Sequence, residues 1–564
     1  MVLICAFPFF IKNKHSMTKR FLSAVLLTLA VCPFNAAEIF TGYDIDAIVA
    51  KMSLEQKARL LVGSEGKNDG LSHIVPGAAG WTYEIPALGI PSINLADGPV
   101  GVRINPVPSH DVKTEYDNQG LPVASSSTSD ITDGGNRSFC TCFPSTTALA
   151  ATWDINAAAL QGKCMADEAK AYGVDIILAP GINIMRNPLC GRNFEYFSED
   201  PMLTGKLAAH LIRAIQQNEI GTSLKHFVAN NQQTGKKFND ARITQRALRE
   251  IYLKGFEICV KEADPWTVMG SYNKIAGQFT QTSMELMQRL LRDEWGYNGL
   301  VLTDWTVRRP TVDLINARCS LIMPGDEEIV NEIIEAVNNG KLSMEAVNAC
   351  VKDVLGIVAK SITAKGWQAS RPNLEYNAEA SRKIATEAMV LLKNEKQSLP
   401  LKQGAKIALF GVTAYKSIAG GTGSSNVNKP YITDISTGLE NAGYPINSRL
   451  AEIYKKYADF RTAFYDKFPD CPDWQKISYH RTVAPEMDLT GKEALISEEL
   501  EKSDVAVVVL GRGSGETSDR SIENDFNLTA EELSMINKVG AACRKQDKRI
   551  RRPRIKRLWT NWRN

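Results

Sequence analysis

Gly299-Leu300-Val301-Leu302-Thr303-Asp304-Trp305 is an apolar run too short for a helix, and it ends on a carboxylate and an indole. A helix-period pattern from Met284 to Glu294 precedes it, so the run reads as a buried strand entered from a helix. The same unit recurs upstream. Ile176-Ile177-Leu178-Ala179 ends in Pro180-Gly181, Thr222-Ser223-Leu224 runs into Lys225-His226, and Thr267-Val268-Met269 runs into Ser271-Tyr272. Helical patterns at Asp200–Asn218 and Arg246–Glu262 lie between them. Strand-then-helix alternation predicts an α/β fold with a mainly parallel sheet, and residues 41–365 are enough for a TIM-like (β/α) barrel with insertions. Such barrels build their sites from polar residues at the C-terminal ends of the strands, which is where each of these runs stops.

Residues 366–385 carry Gly366, Pro372 and several polar side chains, and read as a linker running into a helix. A second α/β unit, expected to form an α/β sandwich, starts near 386. Its strands are predicted at Lys406–Gly411 and Val505–Leu510. Thr529-x-x-Glu532 is a capping box opening a helix to about Cys543. Leu533, Ile536, Gly540 and Cys543 give that helix an apolar stripe that calls for a sheet beneath it. Residues 544–564 then show neither alternation nor an apolar run, so the sandwich over 386–543 is read as incomplete and the last stretch as a basic tail foreign to the fold.

The formal charge of +3 belongs to that tail. Ten Lys or Arg and one acid lie in residues 544–564; without them 56 basic residues face 62 acidic ones. A basic surface for nucleic acid is therefore not expected. Lys19-Arg20, the apolar run Phe21–Cys32 and the small pair Ala36-Ala37 read as a leader over residues 1–37, with Met17 as a natural start. The run is too short for a membrane span, which predicts a periplasmic or secreted protein. Nine of the eleven cysteines follow the leader, and neither Cys140-x-Cys142 nor the six histidines make a metal-site spacing, so no metal or cofactor is expected.

Two acids carry the chemistry. Asp304 closes a strand, and Glu516 lies in the glycine-rich turn Gly511-Arg512-Gly513-Ser514-Gly515-Glu516 just past Val505–Leu510. Hydrolysis of a glycosidic bond takes two carboxyl groups facing each other across it. A general acid begins protonated, so Glu516 is expected to have a raised pKa. Asp519-Arg520 beyond it is read as an ion pair shaping the loop. Gly511-x-Gly513 resembles a dinucleotide loop, but the sixth position is Glu516 and no helix opens there. Gly420-Gly421-Thr422-Gly423-Ser424 lacks the Lys of a phosphate loop, and suits a backbone or hydroxyl contact to a sugar, or a plain turn. Asp97, Arg192, Lys225 and His226, all at expected strand ends, offer acceptors and donors for sugar hydroxyls.

The segments LADGPVGVR, FPSTTALAATWD, LAPGINIMRNPLCGRNFEYFSEDP, KHFVANNQQT, QRALREIYLKGFE, VMGSYNKIAGQ, LLRDEWGYNGLVLTDW and SGETSDR with NLTAEE together resemble glycoside hydrolase family 3, the β-glucosidase group, over residues 44–543. The resemblance implies Asp304 as nucleophile and Glu516 as general acid/base of a retaining, exo-acting β-glucosidase on β-linked oligosaccharides or glycosides. Asp97, Arg103, Arg192, Lys225, His226, Met269, Tyr272 and Trp305 would line the subsite for the terminal sugar, and Ser424 would reach in from the second domain. A β-xylosidase, or a sugar-binding remnant without activity, are the alternatives. Members often carry an Arg shortly after NNQ-x-T, where this chain has Gly235-Lys236-Lys237. The N-acetylglucosaminidase branch uses another acid/base arrangement, to which KHFVANNQQT does not conform. Members also continue past the 530–543 helix.

Overall fold

The computed structural model describes residues 44–65, 75, 77–105, 115–116, 122–123, 138–306, 309–395, 398–467 and 484–549. The leader and most of the basic tail lie outside them.

The first half is a closed sheet wrapped in helices. Its strands are β1 (Gly80–Trp81), β2 (Asn94–Asp97), β3 (Ile176–Leu178), β4 (Gly221–Phe227), β5 (Thr267–Gly270) and β6 (Leu300–Leu302), adjacent in chain order. All neighbours pair in parallel except β1, which is antiparallel to β2. Single bridges finish the ring: Leu302 with Leu321, Ile322 with Val62, and Ser64 with Trp81. The parallel strands are buried on both faces, which is why they appear in sequence as unbroken apolar runs.

The helices are set by local signals. Asp154 caps α1 (Ile155–Tyr172) by accepting from Asn156 N at 2.8 Å, and Gly173, with φ +83°, closes it. Asp200 caps α2 (Pro201–Gln216), with Pro201 in the first turn where its missing N–H costs nothing. α3 (Lys254–Ala263) and α4 (Met344–Lys360) complete the wrapping. α5 (Leu374–Glu387) begins inside the stretch expected to be a linker. It packs on α1, and its Ala380 and Ile384 are buried in the barrel's own core.

The second unit has its own core around β7 (Ile407–Phe410) and β8 (Val505–Val508), a parallel pair. α6 (Ser448–Lys467) and α7 (Glu493–Glu501) flank it. α8 (Ala530–Arg549) runs six residues into the stretch 544–564; its buried face is Met535, Val539, Ala542 and Cys543, whereas Leu533 of the expected stripe is exposed and Ile536 only half-buried. Thr529 and Glu532 form the expected capping box.

Candidate active site

Register places the polar strand ends at one rim: Asp97 is level with Leu178, and Met269 with Leu302. Asp304 stands two residues past β6 and is buried. Its Oδ1 accepts from the Trp305 N–H at 2.8 Å, while the Trp305 indole donates to Ala79 O at 2.8 Å. Oδ2 has no hydrogen-bond partner of ordinary geometry among the described residues; His226 Nε2 lies 3.8 Å away. A buried carboxylate oxygen left open is one that a ligand can use.

Glu516 reaches this rim from the second unit. Arg192 Nη1 donates to its Oε1 at 3.3 Å, and the Lys236 ammonium donates to the same oxygen. Arg192, in the loop after β3, also donates to Glu195 and, through Nη2, to Ser424 Oγ at 3.3 Å. Glu195 in turn accepts from Ser425 Oγ at 2.5 Å. Ser424, from the second unit, thus stands beside Arg192. Gly423 allows the approach: with φ +77°, any Cβ there would lie 2.8 Å from Glu516 Oε2.

Lys225 and His226 are buried in β4, Met269 in β5, and Tyr272 two residues past β5. Asp97 and Arg103 pair at 3.1 Å at the end of β2. Arg192, Lys225, His226, Tyr272, Ser424, Asp304 and Glu516 form one connected neighbourhood.

Three buried cations (Arg192, Lys225, Lys236) face three buried acids (Glu195, Asp304, Glu516). Burial raises the Asp304 pKa; Arg192 and Lys236 oppose this, and the Glu516 charge adds to it. Burial also acts to raise Glu516, but Arg192 and Lys236 outweigh it and hold that carboxyl far below the usual range. The expectation of a raised Glu516 pKa is therefore corrected for the sugar-free site: two cations touch the group and keep it ionised. His226 is held neutral by burial and by Arg192, Lys225 and Lys236.

Sequence reading missed Glu195 and Lys236. Glu195 has a local partner in Arg192 three residues back, and Lys236 showed only as a departure from a motif, but each reaches the site through a contact some 230 to 280 positions away. It also misread Asp519-Arg520. Arg520 pairs with Asp525 at 2.8 Å, and Asp519 accepts from the backbone of Gly191, Gln233 and Thr234 on the barrel. Among the described residues no group of three or more His, Cys, Asp or Glu is placed to hold a metal ion.

A parallel barrel with a buried acid at its rim, met by a second acid from a following α/β unit, is the architecture of a two-carboxylate glycoside hydrolase. The chain matches the glycosyl hydrolase family 3 N terminal domain over residues 108–357 and the corresponding C-terminal domain over 389–546. Among solved structures it is similar to β-glucosidase 3B of Thermotoga neapolitana in complex with glucose, at 36% identity and a TM-score of 0.80, covering 89% of this chain and 68% of that one. Among relatives it is 38% identical to thermostable β-glucosidase B of Acetivibrio thermocellus, over 71% of this chain and 49% of that protein. It is also 31% identical to the exo-α-(1→6)-L-arabinopyranosidase of Bifidobacterium longum, over 88% and 58%. The chain belongs to glycosyl hydrolase family 3. It spans about half the length of these two relatives.

Proposed function

We propose that the chain is a retaining, exo-acting β-glucosidase that removes terminal non-reducing β-D-glucosyl residues from oligosaccharides or glycosides. The observation that carries this is the convergence of Asp304 and Glu516, from two units of the chain, on one buried charge cluster. The names of the β-glucosidase relatives and the glucose complex of the Thermotoga protein supply the sugar.

In the first step the Asp304 carboxylate attacks the anomeric carbon. The glycosidic bond breaks, and the leaving oxygen takes a proton from Glu516. In the second step ionised Glu516 removes a proton from water. That water attacks the anomeric carbon, expels the Asp304 carboxylate and gives glucose with its configuration retained. The resting site suits the second step, because Arg192 and Lys236 hold Glu516 ionised. The first step requires that an arriving glycoside loosen the Lys236 contact so that Glu516 takes up a proton. Neutral His226, Lys225 and Arg192 serve the sugar hydroxyls, and the open Oδ2 of Asp304 faces the reacting carbon.

Azide distinguishes the two acids. Asp304→Ala is expected to lower turnover of an aryl β-glucoside by about a thousandfold or more, with azide then giving α-glucosyl azide. Glu516→Ala with azide is expected to give the β-azide from a good leaving group. Wild-type rates in Asp304→Ala, or products of the opposite configuration, would contradict the roles. A panel of aryl β-glucosides, β-xylosides and α-L-arabinopyranosides tests the sugar; the last is included because of the 88% overlap with the Bifidobacterium enzyme.

The leader pattern supports a secreted or periplasmic location, and no helix among the described residues is long and apolar enough to cross a membrane. The mature N-terminus from a culture or periplasmic extract should start near Ala37. Protein retained in the cytoplasm with residues 17–37 intact would remove this reading.

A further inference from the structure

The loop that carries Glu516 leaves β8 at Val508, in a sheet where β7 and β8 pair with one another. From Ser514 to Arg520 most of its backbone bonds go to the barrel, although Ser514 O also accepts from Thr422 N at 3.3 Å. Ser514 Oγ donates to Gly191 O at 2.6 Å and Gly515 N to the same oxygen at 3.0 Å. Thr517 N donates to Gln233 Oε1 at 3.3 Å, and Arg520 N to Leu189 O at 2.7 Å. The centre of this contact is one carboxylate. Asp519 Oδ1 accepts from Gly191 N at 3.2 Å and Gln233 N at 2.9 Å, and Oδ2 accepts from Thr234 N at 3.0 Å. Thr234 Oγ1 accepts from the Asp519 N–H at 3.3 Å.

We propose that Asp519 is the positioning residue of the acid/base loop: it fastens the loop to two barrel loops at once, so that the barrel, more than the sandwich sheet, sets where Glu516 stands. Gly191 follows β3, and Gln233 and Thr234 follow β4, the strands whose ends supply Arg192 and the Lys225-His226 pair. A charged acceptor on backbone donors is stronger than a neutral one, and three such bonds from two loops fix position as well as distance. Thr517 at φ +80° bends the chain between the latch and Glu516, a conformation that docking must hold in place. The contact is tight enough to exclude a side chain at Gly191, whose Cβ would lie 2.0 Å from Ser518 O and 2.4 Å from Gly515 O.

This inference rests on the acid/base reading of Glu516, and its test has one arm that does not. In the full chain, Asp519→Ala should lower kcat/KM for an aryl β-glucoside with a poor leaving group about tenfold to a hundredfold more than for the 2,4-dinitrophenyl glucoside, which needs little acid help. Binding of a glucose-like inhibitor should stay within about threefold of wild type. Amide hydrogen exchange of residues 514–520 should accelerate while that of β3 to β6 is unchanged. Asp519→Asn, which keeps the acceptor for Gly191 and Gln233, should recover most of the rate. Equal loss on both substrates, or unaltered exchange in 514–520, overturns the proposal. If Asp519→Ala does not fold, Gly191→Ala, whose methyl would press on Ser518 O and Gly515 O from the barrel side, carries the same comparison with the same expected and overturning results. A wild-type chain inactive on both substrates would remove the glucosidase reading instead, and the exchange measurement would then decide the latch by itself.

Discussion

Lys236 is where this site's electrostatics turn. Its ammonium sits on Glu516 and 4.4 Å over the Tyr272 ring, and the side chain is buried. Lys236→Met removes a cation that lowers the Glu516 pKa, so the acid form should persist to higher pH. Lys236 also lowers Asp304, so both limbs of the kcat/KM profile should move to higher pH; an unmoved or downward-shifted profile would contradict the role given to Lys236. Asp304 stood out in the sequence as the end of an apolar run, and Glu516 as the acid of a glycine-rich turn past another. Lys236 was visible only as a departure from a motif, and Glu195 not at all, since their meaning comes from contacts across the two units.

At the scale of elements, the loop Gly420–Asn428 does on one side what the Glu516 loop does on the other. Asn428 O accepts from Cys140 N at 2.9 Å, Val427 is part of the barrel core, and a Cβ at Gly421 would strike the Phe194 ring. Gly423→Ala places a methyl 2.8 Å from Glu516 Oε2 at a φ that disfavours alanine. It is expected to slow hydrolysis of aryl β-glucosides with poor leaving groups at least tenfold; turnover equal to wild type would contradict this. The strands β3 to β6 were readable as apolar runs, but Met389-Val390-Leu391-Leu392 shows the limit of that reading. It has the composition of a strand, yet each residue is at least 60% exposed. Such a run promotes association. Leu391→Lys combined with Leu392→Lys should lower light scattering of concentrated protein; unchanged scattering would show that this patch is not responsible.

For the whole molecule, buried acids set the response to pH. Burial raises Asp175 to about 6 even though Asn94 and Thr363 donate to it, and raises Glu486 in the second unit to about 7. A carboxyl whose folded pKa lies above its unfolded value favours folding while protonated, and that contribution is lost as pH rises from the unfolded to the folded pKa. Stability should therefore fall between about pH 4.5 and 7, with Glu486 contributing on the order of 3 kcal/mol. Glu486→Gln should flatten the melting temperature across that window; an unchanged slope would contradict it. The class of fold was legible because parallel strands buried on both faces announce themselves. The joining of barrel and second unit was not, because it is made of glycines without side chains and of backbone groups paired with single carboxylates.

The central claim is that a barrel acid and an acid from the later unit act on one bond through a covalent glycosyl-enzyme. The most direct test is to incubate the full chain with 2,4-dinitrophenyl 2-deoxy-2-fluoro-β-glucoside and map the labelled peptide by mass spectrometry. The account predicts a burst of dinitrophenolate and a fluoroglucosyl group on Asp304. A label on Glu516, or turnover without any label and with inverted product, would contradict it.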